Sequence, residues 1–196
     1  NGGREVAIRP EMTPSLARMV AARQRELPRP IRWFSFPNLW RYEQPGRGRL
    51  REHWQLNVDI FGVDGMEAEV EILKLACDIL FRFGANKSMF RVLVSHRKIL
   101  DGFFSGDLNL PPEKAQEVSK ILDKKNKISR EEYIQEVGKV IPHVHDAVEK
   151  IDRFLDSNIQ TLREIPGIPE ETIGELESLM SALEDMSLEG IVVFDP

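Results

Sequence analysis

The stretch Trp40-Arg-Tyr-Glu-Gln-Pro-Gly-Arg-Gly-Arg-Leu-Arg-Glu-His-Trp-Gln-Leu-Asn-Val-Asp-Ile-Phe-Gly62 ends in a run with the period of two that a β-strand requires. His53, Gln55, Asn57 and Asp59 fall on one face, and Trp54, Leu56, Val58 and Ile60 on the other. A merely solvated face would more often carry Lys, Glu and Thr. Compact His, Gln, Asn and Asp side chains suit hydrogen bonding to a small ligand. Upstream, the aromatic-rich run from Ile31 to Glu43 is the natural partner strand, with Leu39, Arg41 and Glu43 on one face. If the two strands pair antiparallel, Arg41 and Glu43 can sit beside Gln55 and Asp59.

The connection carries Pro45, Gly46 and Gly48 with Arg47, Arg49 and Arg51 spaced by two, and it is expected to be longer than a tight two-residue hairpin. Glycine lets backbone N–H groups approach an anion, and the arginines add mobile positive charge. No Gly-Lys-Ser/Thr follows, so this is not a P-loop.

Working outward, Glu5 to Ile8 reads as a short strand, and Thr13-Pro14 as an N-cap with proline at the first helical position. A helix is expected over 14–25, another over 66–83, a strand over 90–94 and a short helix over 97–104. From Pro111 the aromatics thin out and Lys and Glu increase. Helical patterns appear near 113–124, 130–137, 144–157 and 170–183, followed by a strand at Gly190–Phe194. The three tryptophans are expected to pack in the sheet. Expected domains are a core over 1–104, a helical insertion over 105–188, and a strand returning to the core over 189–196.

Composition limits the alternatives. With 41% hydrophobic and 30% charged residues, the chain suits a globular protein. No apolar run approaches the roughly 20 residues that span a bilayer, and no signal-peptide pattern is seen, so no membrane role and a cytoplasmic location are expected. Cys77 is the only cysteine. It lies in an apolar helical pattern, so a buried structural thiol is expected, with neither a disulfide nor a zinc cluster. His143-x-His145 lacks further ligands at metal-binding spacing and reads as surface, so no metal site is assigned. Residues 1–51 hold eleven Arg and no Lys against four Glu, a net charge of +7, while residues 52–196 carry −12. An excess made only of arginine favours planar, bidentate recognition of phosphate or carboxylate.

Arg41-Tyr-Glu43 followed by Gly48-Arg49-x-Arg51-Glu52-x-x-Gln55 resembles motif 2 of the class II aminoacyl-tRNA synthetases in its histidyl form. Arg9-Pro10-Glu11-x-Thr13 resembles the same family's amino-acid-binding segment, and 123–135 its insertion region. The resemblance implies an α+β fold: a class II synthetase-like antiparallel sheet flanked by helices, with a helical insertion. It also implies a ligase that activates histidine with ATP and Mg²⁺ and charges tRNA(His), working as a homodimer. In that reading Glu11, Thr13 and Gln55 bind the α-amino end of histidine, and Asp59, where many relatives have Glu, accepts from the imidazole. Arg41 is catalytic and holds the α-phosphate beside the histidine carboxylate; Glu43 lies toward adenine and Arg49 toward the outer phosphates. His53 stands where relatives often place the phenylalanine that stacks on adenine.

The family's later histidine motif, its motif 3 and an anticodon-binding domain are not found among the 196 residues. The chain therefore reads as part of a larger protein, expected not to activate histidine at a useful rate by itself. Two other functions fit some of these features: a synthetase-like regulatory subunit of ATP phosphoribosyltransferase, and a general RNA-binding module using the Arg-rich first quarter. Intact Arg41, Glu43, Arg49 and Gln55 favour the enzyme. RNA binding alone would be steeply salt-dependent and indifferent to histidine.

Overall fold

The structure, a computed structural model, describes residues 2–196, apart from the side chain of Asn126. The chain divides into two compact units, Asn1–Ala68 and Glu69–Pro196.

The first unit is a helix on a β-hairpin. Helix α1 (Thr13–Arg23) is followed by β1 (Ile31–Ser35), β2 (Asn38–Trp40), β3 (Glu52–Trp54) and β4 (Asn57–Phe61). β1 pairs antiparallel with β4 from Ile31–Phe61 to Ser35–Asn57, and β2 with β3 from Asn38–Trp54 to Trp40–Glu52. The two pairings share one unslipped register, so they are the two halves of a single long hairpin. It is interrupted at Pro37, which has no N–H to give the ladder; only the Gln55 N–H to Pro37 carbonyl bond remains there, at 3.2 Å. The expected unbroken strands over 31–43 and 52–61 are thus each split by one proline.

Leu16 and Val20 of α1 form a small core with Ile31, against which Leu27, Trp33 and Phe61 pack. Burying each aliphatic side chain of that stripe contributes about 2 kcal/mol. Ile31, Trp33 and Phe61 lie on the same face as Asp59, so the helix covers one end of the polar row. The opposite face is open in this unit: Phe34 is 77% exposed and Trp54 63%. Phe36 and Trp54 stack there with centroids 5.4 Å apart. The three tryptophans all lie in strands of the hairpin, as expected, but only Trp33 also packs against the core, because strand alternation tells which residues share a face but not which face is covered.

Two further expectations are corrected. Residues 5–8 form no strand, and Val6 is 90% exposed; apolar alternation there has no neighbouring strand to pair with among the described residues. Thr13 is the first helical residue rather than the cap; Met12 takes the cap position, without a side-chain cap bond.

The second unit is mainly helical. It holds α2 (Glu67–Arg82, which starts at the boundary), β5 (Val92–Val94), α3 (Arg97–Gly102), α4 (Pro112–Leu122), α5 (Arg130–Val140), α6 (Ala147–Leu155), α7 (Glu170–Asp185) and β6 (Val192–Phe194). Cys77 is buried in α2, where burial raises its thiol pKa, as suits a structural thiol. β5 and β6 pair in parallel, which brings Val94 beside Phe194. α3 does not stop near Phe104 but runs on as a π-helical turn over Phe103–Asp107. His96 caps α3, its Nδ1 accepting from the Lys98 N–H at 3.2 Å, and Ser129 caps α5 through the Glu132 N–H. Phe103 stacks on Phe154 of α6 with centroids 4.2 Å apart. Lys150 and Arg153 on α6 both pair with the Asp107 carboxylate, whose side chain is only 6% exposed. A hydrophobic contact and an ion-pair contact thus bind α6 to the π-turn.

Asp152, on the same helix, accepts from Arg130 and from Lys125, the latter at 3.1 Å. The Arg130 hydrogen bond chiefly, with Lys125 assisting and partial burial opposing, holds its carboxyl below the ordinary value. Since the folded pKa lies below the unfolded one, the stabilisation is complete above the ordinary carboxylate range and is lost as pH falls through the folded value. Asp152→Asn is expected to lower stability by about 1 kcal/mol at neutral pH. Denaturant titrations should show that gap closing in acid; a gap independent of pH would contradict this account.

Candidate amino-acid and nucleotide site

The hairpin turns over at Gly46–Arg49. Gly46 N–H donates to the Arg49 carbonyl at 3.1 Å and Arg49 N–H to the Gly46 carbonyl at 3.0 Å. The tip is therefore a tight turn centred on Arg47–Gly48, contrary to the longer loop expected, and the irregular residues lie between this tip and the strands. Gly48 has φ +76°, a left-handed conformation that a side chain would strain.

Arg41 follows β2 and is the hub of the site. Its N–H pairs with the Arg51 carbonyl at 2.9 Å, continuing the hairpin. Its guanidinium Nε donates to the Pro10 carbonyl at 2.9 Å, and Nη2 to Gln55 Oε1 at 3.4 Å. Trp40 N–H also donates to the Arg9 carbonyl, at 3.2 Å. The irregular N-terminal segment is thus held against the hairpin at Arg9-Pro10, which places Glu11 and Thr13 just beyond the Arg41 contact. Both are exposed.

Gln55 passes the contact on: its Nε2 donates to Asn57 Oδ1 at 3.1 Å. Asp59 lies one more step along the same face, opposite Trp33 and partly buried. Toward the turn, Arg49 donates to the Glu43 carboxylate, forming an exposed ion pair. That bond, with weaker help from the charges of Arg41 and His53 and against slight desolvation, lowers the Glu43 pKa. His53 is partly buried opposite Leu39, which is fully buried. Arg51 had no assigned role; its Nε donates to the Glu43 carbonyl at 3.2 Å and its guanidinium lies 4.5 Å from the Tyr42 ring centroid. The structure thus links Arg41 with Gln55 and with the segment leading to Glu11, and separately links Glu43 with Arg49. Asn57 joins the first group, and its place in the polar row was the only signal for it.

Chemically, a fixed guanidinium, two amides and a carboxylate lie in line on one strand face. Such a row can hold a small zwitterion at one end and present an arginine to an anion at the other. Among the described residues no group of three or more His, Cys, Asp or Glu could hold a metal, and Glu43 is engaged by Arg49. These residues alone do not form a Mg²⁺ site.

The histidyl-tRNA synthetase family profile matches residues 1–196. A histidine–tRNA ligase of Leptospira biflexa is 61% identical over 195 residues, covering 100% of this chain and 45% of the relative. One of Haloarcula marismortui is 37% identical over 95% of this chain and 43% of its own length. The crystal structure of a histidyl-tRNA synthetase from Nostoc sp. superposes with a TM-score of 0.77 at 20% identity, over 95% of this chain and 44% of that one, and so shares the fold. The chain spans just under half the length of these relatives, and with a profile match from end to end it belongs to the histidyl-tRNA synthetase family.

Proposed function

We propose that this chain is the histidine- and ATP-handling part of a histidine–tRNA ligase. The observation that carries the reading is the placement of Arg41, held by Pro10 and Gln55 between the polar row and the Glu43–Arg49 pair. Glu11, Thr13 and Gln55 receive the α-ammonium of histidine, and Asp59 accepts from its imidazole. Glu43 and His53 face the adenine, and Arg49 the outer phosphates. Arg41 grips the α-phosphate while a histidine carboxylate oxygen attacks phosphorus and pyrophosphate leaves. The 3′-terminal hydroxyl of tRNA(His) then attacks the activated carbonyl and AMP departs. Catalysis is chiefly positioning and electrostatic stabilisation. ATP arrives with Mg²⁺, and the working protein is a cytoplasmic homodimer.

Residues 105–188 act in this reading as a helical insertion in a core formed by 1–104 and 189–196. What supports this is the parallel pairing of Val92–Val94 with Val192–Phe194, which brings the two ends of the segment together.

The test is amino-acid-dependent exchange of labelled pyrophosphate into ATP by the full-length protein, followed by charging of purified tRNA. Exchange is expected with histidine alone among the standard amino acids, and charging of tRNA(His) alone. Histidine binding without any exchange would instead indicate a regulatory subunit, and RNA binding indifferent to histidine an RNA-binding module.

A further inference from the structure

We infer that the π-helical turn at Phe103–Asp107 is a conformational latch. Lys150 and Arg153 of α6 and the loop at Pro166–Gly167 hold it in its wide register, and both holds are lost together when it relaxes to the ordinary α-helical one. The turn lies between α3, which follows β5, and the helices α4 to α7 beyond it, so its state sets how the chain enters those helices. The latch belongs to the second unit and does not depend on the reaction proposed above.

Little within the turn itself favours the wide register, which is rare in proteins. Leu108 N–H passes over the Phe104 carbonyl and donates to that of Phe103 at 3.1 Å, and the Phe104 carbonyl accepts instead from Leu110 N–H at 2.8 Å. One local device helps. The Ser105 hydroxyl donates to the Asp101 carbonyl at 2.8 Å, the acceptor that the Ser105 N–H would use in an α-helix. No proline stands between Arg97 and Leu110, so the α register is open to this chain.

The holding contacts come from far along the chain. Lys150 Nζ donates to the Asp107 carbonyl at 2.7 Å and lies 3.2 Å from its carboxylate, which also accepts from Arg153 at 2.8 Å. Lys150 thus caps the last carbonyl of the turn and helps to neutralise its side chain. On the other side, Gly102 and Gly106 leave no room for a Cβ against the backbone of Pro166 and Gly167. Both holds depend on register. A π-turn contains about one residue more than an α-turn, so relaxing it swings Asp107 by roughly 100° about the axis. The carboxylate then leaves Lys150 and Arg153, and Gly106, carried part of the way, leaves its seat under the loop. The Phe103–Phe154 stack stands at the start of the turn and is common to both registers, so α6 stays tethered. Leu108 and Leu110 are buried, and α4 begins at Pro112, so the rotation has no slack to absorb it. α4 must turn with the latch.

The experiment uses the full-length protein and two kinds of variant that share no contact. Lys150→Met and Arg153→Met remove the charged hold while keeping most of the side-chain stem; Gly102→Ala lifts the loop. A crystal structure of the Lys150→Met/Arg153→Met protein should show Leu108 N–H on the Phe104 carbonyl, with the loop at 166–167 displaced from Gly106. Retention of the Leu108–Phe103 bond would contradict the latch.

Denaturant titration supplies a second readout. Arg153→Met alone should lower the folding equilibrium constant by about tenfold. In a Gly102→Ala background it should lower it by no more than about twofold further, because the latch is already open. Independent contacts would instead give the product of the two separate effects, and that result overturns the inference. Ser129→Ala removes the α5 cap, outside the latch, and should combine additively with each variant; equal coupling to it would also count against the latch. Where Gly102→Ala does not fold, Ser105→Ala takes its place, since the hydroxyl bond to Asp101 belongs to the wide register. It should destabilise the wild-type background but not the Lys150→Met/Arg153→Met one, and the same loss in both backgrounds overturns the inference.

Discussion

In the full-length protein, Arg41→Ala is expected to lower the rate of histidine-dependent pyrophosphate exchange by about 10²–10³-fold, while histidine binding weakens only a few-fold. The magnitude follows from what Arg41 would contribute at the moment of reaction. As the histidine carboxylate approaches the α-phosphorus, negative charge builds on the non-bridging oxygens, and a fixed guanidinium meets it without having to reorganise. The fixing is visible: Nε is held by the Pro10 carbonyl at 2.9 Å and Nη2 by Gln55 at 3.4 Å. Histidine itself keeps Asp59 and the Glu11–Thr13 segment, so its affinity should survive in part. Arg41→Lys restores the charge but not the planar fork, and it should recover only a small fraction of the lost rate. Exchange kinetics paired with calorimetric titration of histidine separate the two effects. Unchanged turnover in Arg41→Ala would remove Arg41 from the chemistry altogether.

Much of this site was legible because the second strand of the hairpin writes its geometry in a period of two. The row His53, Gln55, Asn57, Asp59 names one face whatever the strand pairs with, and Arg41 joins it through a register that needs no slip. Four things were not legible, each for a physical reason. Pro37 breaks the ladder without moving the register, so the alternation passes through a gap that only hydrogen bonding reveals. The covered face was misjudged at Trp54, which is 63% exposed, because the cover is a helix whose contact residues, Leu16 and Val20, choose Ile31 and Phe61 instead. The link from Arg41 through Gln55 to Asn57 depends on side-chain rotamers, which spacing does not determine. The π-helical turn at Phe103–Asp107 and its partners were likewise hidden, since Asp107 meets Lys150 and Arg153 across more than forty residues of chain.

The same separation in sequence hides the contact on which the second unit is expected to depend most. Gly102 and Gly106 stand one turn apart on α3 and its π-helical continuation, and the loop at Pro166–Gly167 lies directly on them. A Cβ added at Gly106 would fall 2.3 Å from the Gly167 Cα and 2.5 Å from the Pro166 carbonyl oxygen, and one added at Gly102 2.5 Å from the Gly167 oxygen. All of these are backbone atoms, so no side-chain rotation relieves the overlap. Gly167 cannot yield easily either, because its φ of +88° already needs glycine. Gly106→Ala should therefore push the loop off the π-turn and destabilise the protein by about 3 kcal/mol, the upper end of the range for overpacking. Gly138 in α5 and Gly174 in α7 provide the contrast: an added Cβ meets nothing within 4 Å at either, and both sit inside helices. Alanine there should stabilise by about 0.5–1 kcal/mol through helix propensity alone. Chemical denaturation of the three variants should thus move in opposite directions for the same substitution. A Gly106→Ala protein as stable as wild type would mean that the loop is not seated on the turn as the structure has it.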